Sequence, residues 1–246
     1  MNSLFNTKYE DILPTLKSSS IDMVCADPPF GVTNCHWDSE INLSFLWNEL
    51  NRIIKPNGAI LLNCQQPFTS KLVMSNLKMF KQHIVWCKNK ATGHLNAKKR
   101  LMSSHEDILL FSDKQVTYNP QKTKGHLPSH YAKQGKQSNC YNKTISTKYI
   151  GGATERYPTT LLNIAVHNND GSMGKKINST QKPVELTDWL IQTYTNRGMV
   201  VLDFVMGSGT TGVSCKKYDR KFIGIEMCKS QFSFATNRIS TTLRNI

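Results

Sequence analysis

The chain has 246 residues, a formal net charge of +14 and seven cysteines that are scattered without a Cys-x-x-Cys pair. A chain of this length can bury the core of one large domain, and it has no run of eighteen apolar residues that would predict a membrane span. Residues 1–8 lack the pattern of a signal peptide, and Cys35-His36 has no second ligand pair at zinc spacing. We therefore expect free thiols in a reducing cytoplasm, with no bound metal and no membrane association.

The first apolar run, at residues 21–26, predicts a buried strand that ends at Asp27-Pro28-Pro29-Phe30. Proline fixes its own φ and biases the preceding residue toward extended geometry, so this loop would hold one carboxylate and several carbonyls rigidly. Open α/β sheets bind their ligands at the carboxyl ends of strands. Rigid acceptors beside an aromatic ring suit a flat ring that carries an amine. An ordinary strand-ending turn is the alternative interpretation of this tetrapeptide.

Helices and strands alternate in the next part of the chain. Periodicity and turn signals predict helix 43–54, strand 59–63, helix 67–79 and strands 83–87 and 108–112. We expect the last two strands at an antiparallel edge of the sheet. No internal repeat is visible, which favours one continuous sheet over a repeat architecture.

Positive charge is concentrated in the middle of the chain. Residues 88–182 contain sixteen Lys or Arg against five Asp or Glu, with tyrosines interleaved. This pattern favours nucleic acid, because Lys and Arg displace its counterions and bases stack on aromatic rings. A solvated basic face is the alternative. The candidate nucleic-acid-binding residues are Lys98, Lys99, Arg100, Lys122, Lys124, Lys133 and Lys136.

The carboxyl-terminal part contains a second candidate site. The predicted elements there are helix 183–196, strand 199–204, the turn Gly207-Ser208-Gly209, a helix from Thr210, strand 221–226 and helix 229–243. Glycines let the backbone approach a ligand, a helix N-terminus presents free N–H groups, and the strand-ending Glu226 could bind ribose hydroxyls. The spacing differs from Gly-x-Gly-x-x-Gly, so a nucleoside cofactor is favoured over a dinucleotide, and a plain turn is the alternative.

Three segments together resemble the S-adenosylmethionine-dependent DNA amino-methyltransferases. Asp27-Pro28-Pro29-Phe30 is similar to their catalytic Asp-Pro-Pro-Tyr/Phe motif, and residues 203–211 are similar to their cofactor loop. Residues 179–186 resemble the Thr-Gln-Lys-Pro element that helps to hold the methionine part of the cofactor. The catalytic motif precedes the cofactor motifs, which is the permuted order of the beta class.

The resemblance implies a set of site residues. The catalytic group would be Asp27, Pro28, Pro29 and Phe30. The cofactor-binding residues would be Asp27, Lys182, Pro183, Asp203, Phe204, Gly207, Ser208, Gly209, Thr210, Thr211 and Glu226. At Phe204 and Val205 the chain departs from the proline and aromatic residue that the family usually has, and Thr7-Lys8 stand where the family often has Gly-Asp.

The resemblance also implies the fold and the activity. We expect a Rossmann-like α/β fold with a seven-stranded, mostly parallel sheet between helices. Residues 1–112 and 179–246 would form the catalytic and cofactor-binding domain, and 113–178 a loop-rich, DNA-facing target-recognition insertion. The expected enzyme is a small solitary or phage-type one, which moves a methyl group from S-adenosyl-L-methionine to N6 of a flipped-out adenine in double-stranded DNA.

Further expectations and alternatives follow from the same resemblance. The enzyme would act without a metal, as a homodimer, in the cytoplasm of a bacterial or phage-infected cell. One alternative is an N4-cytosine methyltransferase on the same scaffold. The other is a catalytically weak nucleic-acid-binding protein, including one that methylates adenine in RNA.

Overall fold

A computed structural model of the protein describes residues 3–30, 41–129, 151–166 and 181–244. In this part of the chain eight strands form one sheet: β1 (Ser3–Phe5), β2 (Ile21–Ala26), β3 (Ile54–Cys64), β4 (Phe80–Thr92), β5 (Ser103–Phe111), β6 (Leu161–Asn163), β7 (Val200–Asp203) and β8 (Lys221–Ile225). The helices are α1 (Tyr9–Ile12), α2 (Leu43–Ile53), α3 (Phe68–Ser75), α4 (Val184–Tyr194), α5 (Thr210–Lys217) and α6 (Lys229–Thr241).

The sheet is mixed and mostly parallel, in the order β1-β8-β7-β2-β3-β5-β4-β6. The pairs from β1 to β3 are parallel, β5 runs antiparallel to both β3 and β4, and β6 pairs parallel with β4. The predicted α/β architecture is confirmed, but the described sheet has eight strands where seven were expected. β5 is antiparallel as predicted, but β4 and β5 lie inside the described sheet because β6 occupies its edge.

The two strands that periodicity did not predict are the three-residue strands β1 and β6. Three residues are too few to carry an alternation of apolar and polar side chains. Tertiary pairing forms both: β1 lies along β8, and β6 lies along β4.

Helices cover both faces of the sheet. In the central strand β2, Met23 and Cys25 belong to one apolar cluster, and Val24 and Ala26 belong to the other. The first cluster also contains buried side chains of α4, α5 and α6, and the second contains those of α2 and α3. A strand covered on both faces must be apolar throughout, which explains the continuous run that precedes Asp27.

The topology places three acidic residues along one edge. β7 pairs parallel with β2 on one side and with β8 on the other, so the carboxyl ends of these strands lie side by side. Asp27 and Glu226 directly follow β2 and β8, and Asp203 is the last residue of β7. The connections from β2 and from β7 run in opposite directions across the sheet, and ligands of open α/β sheets bind where the strand order reverses in this way.

The chain divides into two compact units, one formed by Met1–Asn119 with Thr160–Ile246 and one by Pro120–Thr159. In the second unit Thr123 and Arg156 form an antiparallel bridge. The described residues contain no helix that is both long and apolar enough to cross a membrane.

Candidate active site

The Asp27 loop begins where β2 ends, at the carboxyl edge of the sheet. Pro28 is buried, and the side chain of Asp27 is 30% exposed. The ring of Phe30 stacks on that of Phe68 in α3, with 5.5 Å between centroids and an interplanar angle of 29°. Two prolines and an anchored ring thus restrict the Asp27 loop, and the Oδ1 atom of its carboxylate is buried.

A chain of alternating charges starts at this carboxylate. Lys182 Nζ lies 2.8 Å from Asp27 Oδ2 and 2.9 Å from Glu106 Oε2. Lys88 Nζ donates to Glu106 Oε1 at 3.1 Å. The side chains of Lys182 and Lys88 are only 12% and 2% exposed, so both ammonium groups depend on these carboxylates for their stabilisation. Among the described residues, Asp27 Oδ1 has no hydrogen-bond partner.

The two carboxylates in this row of alternating charges, Asp27 and Glu106, differ in basicity. Burial raises the pKa of Asp27, and the attraction of Lys182 does not fully offset it. Burial also acts on Glu106, but the ammonium groups of Lys182 and Lys88 outweigh it and lower the pKa of that carboxyl. Burial would lower the pKa of Lys182, yet Asp27 and Glu106 raise it. Asp27 is therefore the stronger hydrogen-bond acceptor of the two, and one of its oxygens is unpaired within the described structure.

A buried amide supports the strand end from the neighbouring strand. Asn63 in β3 is 5% exposed, and its Nδ2 donates to the carbonyl of Ala26 at 3.1 Å. This bond fixes the last peptide before Asp27. The position of the loop therefore depends on the parallel pairing of β2 and β3.

The Gly-Ser-Gly turn follows β7 and closes on Glu226. Gly207 and Gly209 have φ of +50° and +76°, which is the left-handed region that glycine adopts without strain. Gly207 N donates to Glu226 Oε2 at 2.9 Å, and Cys228 N donates to Glu226 Oε1 at 2.8 Å. The acid at the end of β8 thereby fixes the turn at the end of β7.

Asp203 lies at the base of the same turn. Its carboxylate is buried and accepts from Val205 N at 3.2 Å. Burial raises its pKa to about 7, and hydrogen bonds from Thr211 and Val205 limit the rise. A buried acid whose pKa is shifted toward neutral pH is typical of functional sites.

One arginine joins the turn to Thr210, which contacts the Lys182 segment. Arg238 Nη1, on α6, donates to Ser208 O at 3.1 Å and to Thr210 Oγ1 at 3.1 Å. Thr210 Oγ1 in turn donates to the backbone carbonyl of Lys182 at 3.4 Å. Thr210, which directly follows the turn, therefore contacts the backbone of Lys182, whose ammonium group contacts Asp27.

Residues 21–237 match the sequence model of the DNA methylase family, which comprises N6 and N4 methyltransferases. The chain belongs to this family of S-adenosylmethionine-dependent DNA amino-methyltransferases. The match includes both the Asp27 loop and the Gly-Ser-Gly turn.

Individual relatives agree with the family. The Type II methyltransferase M.HpaI of Haemophilus parainfluenzae is 28% identical over 244 residues, which are 93% of this chain and 71% of that protein. The DNA adenine methyltransferase YhdJ of Escherichia coli strain K12 is 28% identical over 254 residues, or 94% and 81% of the two chains. The crystal structure of the M1.HpyAVI–SAM complex superposes with a TM-score of 0.64 at 24% identity, covering 97% of this methyltransferase and all of that chain. This likeness establishes the fold.

The structure brings most of the predicted site residues together. Asp27 is in contact with Lys182, and Pro183 is buried at the start of α4. The turn residues and Glu226 are joined by the hydrogen bonds described above. The ring of Phe204 is different: it is 1% exposed and packs edge-on against Tyr9 at 5.4 Å. In this structure the ring of Phe204 therefore belongs to the apolar core.

Three residues of the site could not be identified from the sequence. Glu106, Lys88 and Arg238 stand in no motif that predicts a role at the site. Glu106 lies opposite Trp86 in the antiparallel pairing of β4 and β5, two residues from Lys88. Only the register of β4 and β5 shows that Glu106 and Lys88 meet, and that register cannot be deduced from the sequence.

The described candidate nucleic-acid-binding residues belong to both compact units of the chain. Lys98, Lys99 and Arg100 are exposed in the connection between β4 and β5. Lys122 and Lys124 belong to the Pro120–Thr159 unit, and Lys122 Nζ pairs with Glu155 at 3.3 Å. Lys133 and Lys136 lie outside the described residues. Among the residues that are described, no group of three or more His, Cys, Asp or Glu could hold a metal ion.

Proposed function

We propose that this methyltransferase transfers the methyl group of S-adenosylmethionine to the exocyclic N6 of adenine in duplex DNA. The observation that carries the proposal is Asp27 Oδ1, a basic carboxylate oxygen on a rigid loop, which has no partner among the described residues. An acceptor in such a place is suited to an N–H donor from outside the protein. The exocyclic amine of adenine is a donor of this kind.

The Gly-Ser-Gly turn and its neighbours fit the cofactor. A Cβ on Gly207 would meet only Gln231 Oε1, at 3.4 Å, so the backbone there is open to close approach. Each oxygen of Glu226 accepts one backbone N–H and retains a lone pair for a ribose hydroxyl. Asp203, residues 207–211 and Glu226 would hold the nucleoside, and Lys182 and Pro183 would adjoin its methionine part. When bound, S-adenosylmethionine supplies an electrophilic methyl group on a positively charged sulfur.

The Asp27 loop would activate the target amine. The lone pair of an adenine amine is delocalised into the ring, which makes the nitrogen a poor nucleophile. Asp27 Oδ1 accepts one N–H and the carbonyl of Pro28 accepts the other, so the nitrogen is drawn toward tetrahedral geometry and its lone pair is freed. Phe30 stacks on the base. Catalysis would thus come from positioning and from acceptors that are fixed in advance.

Adenine is favoured over cytosine by the motif. The Asp-Pro-Pro start resembles that of adenine methyltransferases, whereas cytosine enzymes usually have Ser-Pro-Pro, and the relative YhdJ is named as an adenine methyltransferase. The family model spans both N6 and N4 enzymes, so cytosine N4 is the second candidate.

The DNA would be bound by the basic middle of the chain. We propose residues 113–178 as the target-recognition insertion, with the exposed Lys98, Lys99 and Arg100 as additional phosphate contacts. Extrusion of the target base costs a few kcal/mol, and phosphate contacts together with stacking on tyrosines would offset that cost. We also propose a homodimer that acts in the cytoplasm of a bacterial or phage-infected cell.

The test is to incubate the protein with S-adenosylmethionine that carries a labelled methyl group and with duplex DNA, followed by digestion to nucleosides. We expect the label in N6-methyladenine. Label in N4-methylcytosine would contradict the base assignment, and preferential label in RNA would contradict the substrate. DNA binding without any transfer would favour the catalytically weak binding protein.

A further inference from the structure

The charged chain behind Asp27 is assembled from four separate parts of the fold. Asp27 follows β2, Lys88 is in β4, Glu106 is in β5, and Lys182 precedes α4. The negative and positive groups alternate, and each inner group contacts two partners. Burial of four charges costs free energy unless each charge is paired. Apolar side chains would pack at least as stably in these positions, so packing alone does not explain the charges.

Lys182 divides its charge between two carboxylates. It lies 2.8 Å from Asp27 and 2.9 Å from Glu106, so neither carboxylate has the ammonium group to itself. The contact to Asp27 engages Oδ2 and leaves Oδ1 without a partner in the described part of the chain. If Asp27 had an ammonium group to itself, its carboxylate would be a weaker hydrogen-bond acceptor. If Asp27 had no ammonium group beside it, its carboxylate would be protonated more easily.

We propose that Glu106 and Lys88 are positioning residues for methyl transfer: Glu106, held by Lys88, shares Lys182 with Asp27, so that Lys182 keeps the Asp27 carboxylate ionised while Glu106 keeps it basic and leaves Oδ1 for the target amine. This inference rests on the proposed function, since it concerns how Asp27 is prepared for that amine. It assigns a role to two residues that the catalytic motif does not include.

Several titratable groups face Asp27 from the surrounding elements. Lys182 lowers its pKa and Glu106 raises it, and Asp203, Cys25 and Cys64 are also near enough to interact with it electrostatically. Glu106 and Lys182 therefore act on Asp27 with opposite signs. Removal of Glu106 should lower the pKa of Asp27, and removal of Lys182 should raise it.

The experiment measures the titration midpoint of the Asp27 carboxyl carbon by NMR in ¹³C-labelled protein, with the resonance assigned from Asp27→Asn. Glu106→Gln is expected to move the midpoint below that of the wild type, and Lys182→Met to move it above. Lys182→Arg keeps the charge and should remain close to the wild type. Lys55→Met is the matched control, because it breaks the 2.6 Å pair with Asp22 at the opposite end of the same strand.

Single-turnover methyl transfer across the same pH range supplies the second measurement. Glu106→Gln should shift the acidic limb of the profile to lower pH and slow the plateau on the order of tenfold, because the acceptor is weaker and less well placed. A merely structural role would lower the rate without moving the limb. Lys88→Met should raise the midpoint of Glu106, which loses its second ammonium partner.

Two outcomes would overturn the inference. One is an Asp27 midpoint in Glu106→Gln that equals or exceeds the wild-type value, and the other is a control shift as large as that of Glu106→Gln. If Lys182→Met does not fold, the Glu106→Gln midpoint decides. Failure of the proposed function is distinguishable, since it would show as absence of methyl transfer by the wild type, whereas the midpoints are measured without turnover.

Discussion

Single residues in this site differ in chemistry because their surroundings differ. Asp27, Glu106 and Asp203 are all carboxylic acids near one edge of the sheet, yet Glu106 has two ammonium partners, Asp27 shares one, and Asp203 has none among the contacts described here. The direction of each pKa follows from these partners and from burial. Groups of one kind whose pKa values are pushed apart are assigned different tasks in enzymes.

The sequence alone could predict Asp27 but not its partners. Asp27 follows an apolar run and precedes two prolines, which is a local signal. Lys88 and Glu106 meet only because β4 and β5 pair antiparallel, and Lys182 reaches them from a segment 76 residues beyond Glu106. Local patterns do not encode such register, so the charged chain required the structure.

At the residue scale, we predict a pH-dependent stability from Asp203. Its pKa is about 7 in the folded protein and about 3.9 in an unfolded chain, so the folded state binds more protons between these values. Stability contributed by this group therefore falls as the pH rises from about 4 to 7. The free energy of unfolding of Asp203→Asn, relative to that of the wild type, should increase by on the order of 2–4 kcal/mol as the pH rises through that window. Urea unfolding of both proteins at pH 5 and pH 7.5 measures this change.

Asp219→Asn, at a carboxylate that is 56% exposed, controls for the loss of one surface charge. The same difference between Asp203→Asn and the wild type at both pH values would contradict the linkage.

Elements of the fold were predictable where their patterns were long. Strand β2 has the predicted bounds of residues 21–26, and the helices α2, α3, α4 and α6 lie within or close to their predicted ranges. The strands β3, β4 and β5 are longer than predicted, because their added residues lack a continuous apolar pattern and join the sheet through pairing with neighbouring strands. β1 and β6 form only through pairing with neighbouring strands, and local sequence patterns do not predict such pairing.

At the element scale, we predict that the turn before α5 requires glycine for two reasons. Gly209 has a φ of +76°, and a Cβ there would lie 2.9 Å from Ala235 Cβ and 3.2 Å from Ile239 Cδ1 on α6. Gly209→Ala should lower the free energy of unfolding by about 2–4 kcal/mol, as backbone strain and overpacking add. It should also weaken binding of S-adenosylmethionine, measured by calorimetry.

Gly198→Ala is the matched control, since Gly198 has a φ of +78° and nothing within 4 Å of an added Cβ. It carries only the backbone strain, about 1–2 kcal/mol. Equal losses at the two positions would show that the contact with α6 is unimportant.

The whole molecule explains why motifs far apart in the sequence form one site. Asp27 and Asp203 are separated by more than 170 residues, but the parallel pairing of β2 with β7 and of β7 with β8 aligns their carboxyl ends with Glu226. Family membership and fold were predictable from the order of the motifs. The contribution of Arg238, which donates to both Ser208 and Thr210, depends on the packing of α6 and was not predictable.

The most direct test of the account compares Asp27→Asn with the wild type in transfer of a labelled methyl group to duplex DNA. Asparagine keeps the shape of the side chain but loses its charge, so it accepts more weakly from the amine. We predict a loss of about 10²-fold or more in the single-turnover rate, with nearly unchanged affinity for S-adenosylmethionine by calorimetry, and normal activity for Lys55→Met. Wild-type transfer by Asp27→Asn would contradict the account.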